Sequence, residues 1–203
     1  IELNGWDGEW YLRAFFDDGS ALGSKDNLEC RIDAIAQSWS VLSGAAKKER
    51  QDMAMTSLYS HLLKKDLRLI QLLDPAFNSV GINPGYIKGY LPGVRENGGQ
   101  YSHAAIWAIM AFAAKEDREK TWELFQLINP ILHADSAEAV ATYKVEPYVM
   151  AADVYANEKH KGRGGWTWYT GSAGWMYQLI IKYIIGLRRE ADTLVFNPCF
   201  PLE

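Results

Sequence analysis

The chain has 203 residues, of which 48% are hydrophobic and 23% charged, and its net charge is −4. This composition is typical of a folded globular domain and excludes a disordered tail. Lys and Arg are scattered along the sequence, so the chain lacks the basic surface that nucleic acid would require. The longest apolar run, over residues 176–187, is interrupted by Gln178 and Lys182 and predicts no membrane-spanning segment.

The two cysteines, Cys30 and Cys199, lie far apart and form no CxxC or Cys/His ligand pattern. We interpret them as reduced, buried thiols of an intracellular protein, and we expect neither a metal site nor a cofactor. The chain starts at Ile1 and not at Met, so any natural leader lies outside it.

Over residues 28–43 apolar residues recur at spacings of three and four, as in a helix. With the other helical segments this gives about six helices and no βαβ alternation, which predicts an all-α fold with long loops. We place these helices at residues 28–43, 47–63, 101–114, 117–127, from about Pro147 onward, and 172–188, with Arg188 and Arg189 favourably placed at the last carboxy end. A short strand or an extended approach to a loop is predicted at residues 65–73, and a strand at residues 193–196. Residues 74–100 are rich in proline and glycine, and a loop of that length inside a compact domain usually has a function.

The first candidate site follows from PGVRENGGQYSH, residues 92–103, which leads into a predicted helix. Its glycines allow the backbone to approach a ligand, and a helix amino terminus offers free N–H groups to an anion. The structural alternative is that Asn97 and Gln100 form turns and caps while His103 is a satisfied, partly buried histidine. The crowding of polar residue types in one loop favours a site.

A second candidate is GGWTWYTGSAGW, residues 164–175, where hydroxyls and glycines stand between bulky aromatic residues just before a helix. Thr170, Gly171 and Ser172 can present a hydroxyl and backbone N–H groups to an oxyanion. An ordinary Ser/Thr helix cap explains the pattern equally well. In a third segment, Lys144 and Glu146 can bond sugar hydroxyls, although a capping carboxylate is an equally fair interpretation.

The same segments carry a family resemblance: YIKGYLPGVRENGGQYSHAAIW (residues 86–107), YKVEPYVMAADVY (143–155) and GGWTWYTGSAGWMY (164–177). Together they resemble glycoside hydrolase family 94, the cellobiose and chitobiose phosphorylases and the phosphorylase-like domain of cyclic β-1,2-glucan synthases. The resemblance implies the carboxy-terminal part of an (α/α)₆ toroid, over residues 1–192. Residues 193–203 would begin a following β segment or be a cloning remnant.

In such an enzyme inorganic phosphate is the co-substrate and attacks the anomeric carbon, while one carboxylic acid protonates the leaving oxygen. By resemblance, His103, Thr170 and Gly171 match the phosphate-binding residues, and Tyr90, Arg95 and Glu96 match those that contact the acceptor-side sugar. The motif that holds the general acid is absent, so we expect the acid upstream of residue 1 and an isolated fragment without activity.

The resemblance to the β-1,2-glucan branch of the family implies β-linked glucan as substrate. Ala151 and Ala152 stand near a position where the disaccharide phosphorylases tend to carry glutamine, which argues against cellobiose. Further expected partners are the remainder of the parent chain and, as one possible arrangement, a second copy in a homodimer. The expected location is the cytoplasm or the cytoplasmic face of the inner membrane. Two alternatives stay open: a non-catalytic carbohydrate-binding or structural module, and an (α/α)₆ hydrolase that uses water.

Overall fold

The computed structural model describes residues 1–78, 81 and 83–201. These residues contain six α-helices: α1 (Ala34–Leu42), α2 (Lys48–Leu62), α3 (Ser102–Ala114), α4 (Arg118–Ile128), α5 (Ala137–Tyr143) and α6 (Thr170–Gln178). A π-helix, Leu179–Ile184, continues α6, and 3-10 helices occupy Gly85–Gly89 and Leu132–Ala134. In this part of the chain, no helix is both long and apolar enough to cross a bilayer.

The described residues also contain ten short strands in five antiparallel pairs. These pairs are β1 (Ala14–Phe15) with β2 (Ala21–Leu22), β3 (Ile32–Asp33) with β6 (Leu73–Asp74), β4 (Leu63–Lys64) with β5 (Leu69–Ile70), β7 (Gln100–Tyr101) with β8 (Asp153–Val154), and β9 (Leu187–Glu190) with β10 (Thr193–Phe196). The predicted all-α class is therefore wrong, and the fold is mixed α and β. Two-residue strands are too short to show period-two alternation, so most of them leave no pattern in the sequence.

Helix α3 lies at the centre of the core, with α1, α4 and α6 packed against it. Ten of its thirteen residues are buried, and many of these are alanines, whose small side chains let neighbouring helices approach closely. A surface helix is apolar along one side only, whereas a helix that is covered on all sides is apolar all round. The near-continuous apolar sequence of α3 agrees with the central position. The amino end of this buried helix is where His103 lies.

Three helices were placed within a residue or two of their observed bounds, namely α2, α3 and α4. Helix α1 starts six residues later than predicted, because residues 32–33 pair with β6 and Asp33 then caps the helix. The Asp33 carboxylate accepts the backbone N–H groups of Ile35 at 2.8 Å and Ala36 at 3.3 Å. Of the short strand or extended segment predicted over residues 65–73, only Leu69–Ile70 (β5) and Leu73, at the start of β6, lie in strands.

The helix predicted from Pro147 is wrong. Residues 147–152 form no helix, and the helix of this region is α5, which begins where the Ser136 hydroxyl accepts the N–H of Ala139 and ends at Tyr143, followed by the cap residue Lys144 with φ of 60°. The missed signal was the serine cap before an alanine-rich stretch, which is a common helix start.

The predicted placement of Arg188 and Arg189 at a helix carboxy end is also wrong. Gly186, with φ of 75°, follows the helical segment, and both arginines lie in β9 opposite Val195 and Leu194. The strand predicted at residues 193–196 is confirmed as β10. The boundary predicted after residue 192 falls at the turn of this hairpin and stays a prediction. Cys30 and Cys199 are buried and unbonded to each other.

Candidate phosphate and sugar site

His103 and Gly171, 68 positions apart in sequence, meet in the structure. A Cβ atom built on Gly171 would lie 2.7 Å from Nε2 of His103, so the imidazole packs directly against the glycine backbone. His103 lies in the first turn of α3 and Gly171 in the first turn of α6. The packing of α6 on α3 therefore brings together the two loops that were predicted to bind phosphate.

Both helices begin without a side-chain cap. The N-cap residues are Tyr101 for α3 and Tyr169 for α6, and neither side chain accepts a backbone N–H. Ser172 does not cap α6 either, since its hydroxyl donates to the Tyr169 carbonyl at 3.0 Å. The helix-cap alternative for this segment is therefore wrong, and the first-turn N–H groups beside exposed Thr170 keep their capacity to bind an anion.

The His103 ring is held among aromatic side chains. It stacks on Tyr101 with ring centroids 5.1 Å apart and meets the edges of Trp107 at 6.4 Å and Tyr169 at 6.3 Å. Burial lowers the pKa of His103 below its ordinary value, which favours a neutral imidazole. Its Nδ1 atom is buried and has no hydrogen-bond partner among the described residues. The interpretation of His103 as a satisfied, partly buried histidine is therefore wrong, because this nitrogen is unsatisfied.

Arg95, Glu96 and Tyr90, predicted to contact sugar, form one cluster. The Arg95 guanidinium lies 5.4 Å from the Tyr90 ring centroid and 5.1 Å from that of Trp166, while its Nε is 3.5 Å from Oε2 of Glu96. Within the described part of the chain, neither that Nε nor that Oε2 has a hydrogen-bond partner, although both are buried. A donor and an acceptor left unsatisfied side by side match the hydroxyl groups of a sugar, which both donate and accept.

Asn97 and Gln100 have structural roles, but their side chains bond distant backbone segments and do not form the turns and caps of the alternative interpretation. The Asn97 amide accepts the N–H of Phe77 at 2.7 Å and donates to the carbonyls of Phe77 and Tyr90, each at 2.8 Å. Gln100 accepts the N–H of Ile70 at 3.0 Å. These two buried amides fix the loop that carries Arg95 and Glu96.

Glu146 joins this region, while Lys144 stands apart from it. Oε1 of Glu146 accepts the indole N–H of Trp168 at 3.0 Å, and the pKa of Glu146 is lowered first by a bond from its own backbone amide and then by this indole. The exposed Lys144 follows α5 as its carboxy-terminal cap residue. The sugar contact predicted for Lys144 stays a prediction.

Asp153 is an important residue that the sequence interpretation missed. Its side chain is only 1% exposed, and its carboxylate accepts the N–H of Arg95 and of Trp166, each at 3.2 Å. Burial raises the pKa of this carboxyl above its ordinary value. An acid inside the apolar stretch VMAADV was the available signal, since a carboxylate among apolar residues is seldom buried without partners.

Comparison with known proteins identifies the family. Residues 1–186 match the family described as the glycosyl hydrolase 94 superfamily, catalytic domain. The chain belongs to this family. The resemblance stated from the motifs is therefore confirmed, and the glycosyl hydrolase 94 match includes all of the predicted ligand residues.

Among curated proteins, the chain is 50% identical over its full length to cyclic beta-(1,2)-glucan synthase NdvB of Rhizobium meliloti (strain 1021), of which it covers 7%. It is 30% identical to solabiose phosphorylase of Paenibacillus borealis, with 99% of the chain and 26% of that protein covered. It is 27% identical to 1,2-beta-oligoglucan phosphorylase of Listeria innocua serovar 6a, with 87% and 17% covered. The chain thus spans about a quarter or less of the length of these relatives.

Proposed function

We propose that the parent protein of this chain phosphorolyses β-1,2-linked glucan and that this chain supplies the phosphate site and part of the acceptor-sugar site. The observation that carries the proposal is the contact between His103 and Gly171, which places two uncapped helix amino termini beside one histidine. Each helix terminus favours an anion by about 0.3–1 kcal/mol, and a hydrogen bond to a charged ligand adds about 1.5–3 kcal/mol.

The chemistry of these residues fits binding and orientation of phosphate. His103, Thr170 and the backbone at Gly171 would hold the phosphate oxygens, and one of those oxygens would attack the anomeric carbon. Phosphate then occupies the place of the base-activated water in an inverting hydrolase, so only one protein carboxylic acid is needed, to protonate the leaving oxygen. We expect that acid in the parent chain upstream of residue 1.

The sugar side of the proposal rests on the cluster of Tyr90, Arg95 and Glu96. The Arg95 guanidinium is fixed by two aromatic faces, so little conformational entropy is lost when it binds a hydroxyl. The choice of β-1,2-linked glucan is supported by the names of two relatives, a cyclic beta-(1,2)-glucan synthase and a 1,2-beta-oligoglucan phosphorylase.

The test is release of α-glucose 1-phosphate by the full-length parent protein from β-1,2-oligoglucan and inorganic phosphate. We expect release with this glucan, little with cellobiose, and none without phosphate. His103→Ala should raise the KM for phosphate by at least about tenfold, the loss expected from one charged hydrogen bond. The matched control is His160→Ala, because His160 is exposed in a surface turn and should leave the KM unchanged.

Two outcomes would contradict the proposal. Turnover that persists in phosphate-free buffer would favour a hydrolase, and glucan binding without any phosphate-dependent product would favour a binding module.

A further inference from the structure

Residues 152–154, which include β8, form hydrogen bonds on both sides with other segments of the site. On one side β8 pairs with β7, with Tyr101 opposite Asp153, and Ser102 donates its N–H to the Ala152 carbonyl at 2.9 Å. On the other side the N–H of Ala152 donates to the Trp166 carbonyl at 2.7 Å and the N–H of Gly165 donates to the Asp153 carbonyl at 2.8 Å. One strand therefore aligns the segment that leads into His103 with the segment that leads towards Thr170.

The Asp153 side chain connects this strand to a third segment. Its Oδ1 accepts the N–H of Trp166 and its Oδ2 accepts the N–H of Arg95, so each carboxylate oxygen holds a different loop. Gly165 closes over the carboxylate so tightly that a Cβ there would overlap Oδ1. Arg95 is held with φ of 49°, an uncommon conformation for a residue with a side chain, which needs support from its surroundings.

The two loops held by Asp153 are the ones that enclose the Arg95 guanidinium. Arg95 itself comes from one loop and Trp166, whose ring it faces at 5.1 Å, from the other. Moving either loop by about 1 Å would separate that pair and also turn Glu96 away from its present position. Displacements of this size can lower affinity or reaction rate by about a hundredfold.

We infer that Asp153 is a positioning residue for the acceptor-sugar site, one that sets glucan affinity by holding the Arg95 and Trp166 loops together without contacting the sugar. This inference rests on the proposed function of the site. A carboxylate is required there because both of its partners are N–H donors. In Asp153→Asn, the amide nitrogen would face one of those donors and release one loop.

The experiment measures binding to the full-length parent protein by calorimetry, with a β-1,2-linked glucotriose and with inorganic phosphate as separate probes. We expect Asp153→Asn to raise the Kd for the trisaccharide by about tenfold, as for the loss of one charged hydrogen bond, and the Kd for phosphate by less than about twofold. Gly165→Ala displaces the carboxylate and keeps every polar group. It should likewise raise the Kd for the trisaccharide and leave the Kd for phosphate nearly unchanged, and it tests the inference if Asp153→Asn does not fold.

Leu124→Ala is the control for general destabilisation, because Leu124 is buried in α4 and belongs to neither loop. It should lower thermal stability with both dissociation constants unchanged. The inference is overturned if the Asp153 and Gly165 variants bind the trisaccharide as the wild type does, if they lose affinity for both probes equally, or if the wild type binds no trisaccharide. Failure of the parent to release glucose 1-phosphate would refute only the proposed reaction, since binding still decides the role of Asp153.

Discussion

The imidazole of His103 lies directly on the backbone of Gly171, with Nε2 2.7 Å from the point where a Cβ would stand. This contact leaves no room for a side chain, so Gly171→Ala should push the imidazole out of its position between the two helix amino termini. We expect the KM for phosphate to rise by about tenfold or more, with little change in the KM for glucan. Steady-state kinetics of the parent protein, with each substrate varied in turn, measures both values.

Gly174→Ala is the matched control for that substitution. Gly174 lies in the same helix, and a Cβ there would meet nothing within 4 Å. Replacing a helical glycine by alanine should stabilise the protein by up to about 1 kcal/mol and leave phosphate kinetics unchanged. If Gly171→Ala and Gly174→Ala raise the KM for phosphate equally, the proximity of Gly171 to His103 does not matter for phosphate binding.

Oε2 of Glu96 pairs with Nε of Arg95 at 3.5 Å but accepts no hydrogen bond from the described residues, and we propose that it binds sugar. Glu96→Gln keeps the shape but removes the charge, and it should raise the KM for oligoglucan by about tenfold. Arg95 would stay in place through its two aromatic contacts, so the KM for phosphate should hardly change. Glu158→Gln, at a side chain that is 85% exposed, provides the control and should match the wild type. A fall in kcat with an unaltered KM for glucan would refute the assignment.

Asn97 is fully buried, and its amide satisfies three backbone groups. Asn97→Ala leaves those groups without partners, and we expect a loss of more than about 2 kcal/mol in the free energy of unfolding. Asn83→Ala, at an exposed asparagine with one local bond to Gly85, should cost less than about 1 kcal/mol. Urea unfolding measures the free energy of unfolding of both variants. Similar urea midpoints for Asn97→Ala and Asn83→Ala would contradict the structural role of Asn97.

The pKa of His133 predicts how the free energy of unfolding depends on pH. It is buried against Tyr143, and burial lowers its pKa from 6.5 to about 4. Between these values the unfolded chain takes up a proton that the folded chain does not, so stability is lost as the pH falls from about 6.5 towards 4, by up to about 3 kcal/mol. His133→Gln should make unfolding midpoints less sensitive to pH over this range. An unchanged pH dependence would show that another group is responsible.

The loops that form the site were identifiable from sequence because their chemistry is local. Paired glycines, a histidine at a helix start and a Thr-Gly-Ser run are adjacent residues, and the bounds of helices α2, α3 and α4 are likewise set by residues that are close in sequence. Asp153 escaped notice because its two partners are backbone groups 58 and 13 positions away. The apolar residues around Asp153 mark it as a buried acid, but a backbone N–H has no sequence signature, so the two loops that it binds could not be predicted.

Contiguous residues encode the family, most of the helices and the loops that carry ligand residues, and these features could therefore be predicted from the chain alone. Three others emerged only from the folded molecule: the mixed α and β class, the place of Lys144 at the end of a surface helix, and the contact of His103 with Gly171. Strand pairs of two residues and contacts across 68 positions depend on the path of the whole chain. That path is selected by burial of apolar residues around α3. The free energy of this burial is a sum over many residues, so no single sequence motif reveals it.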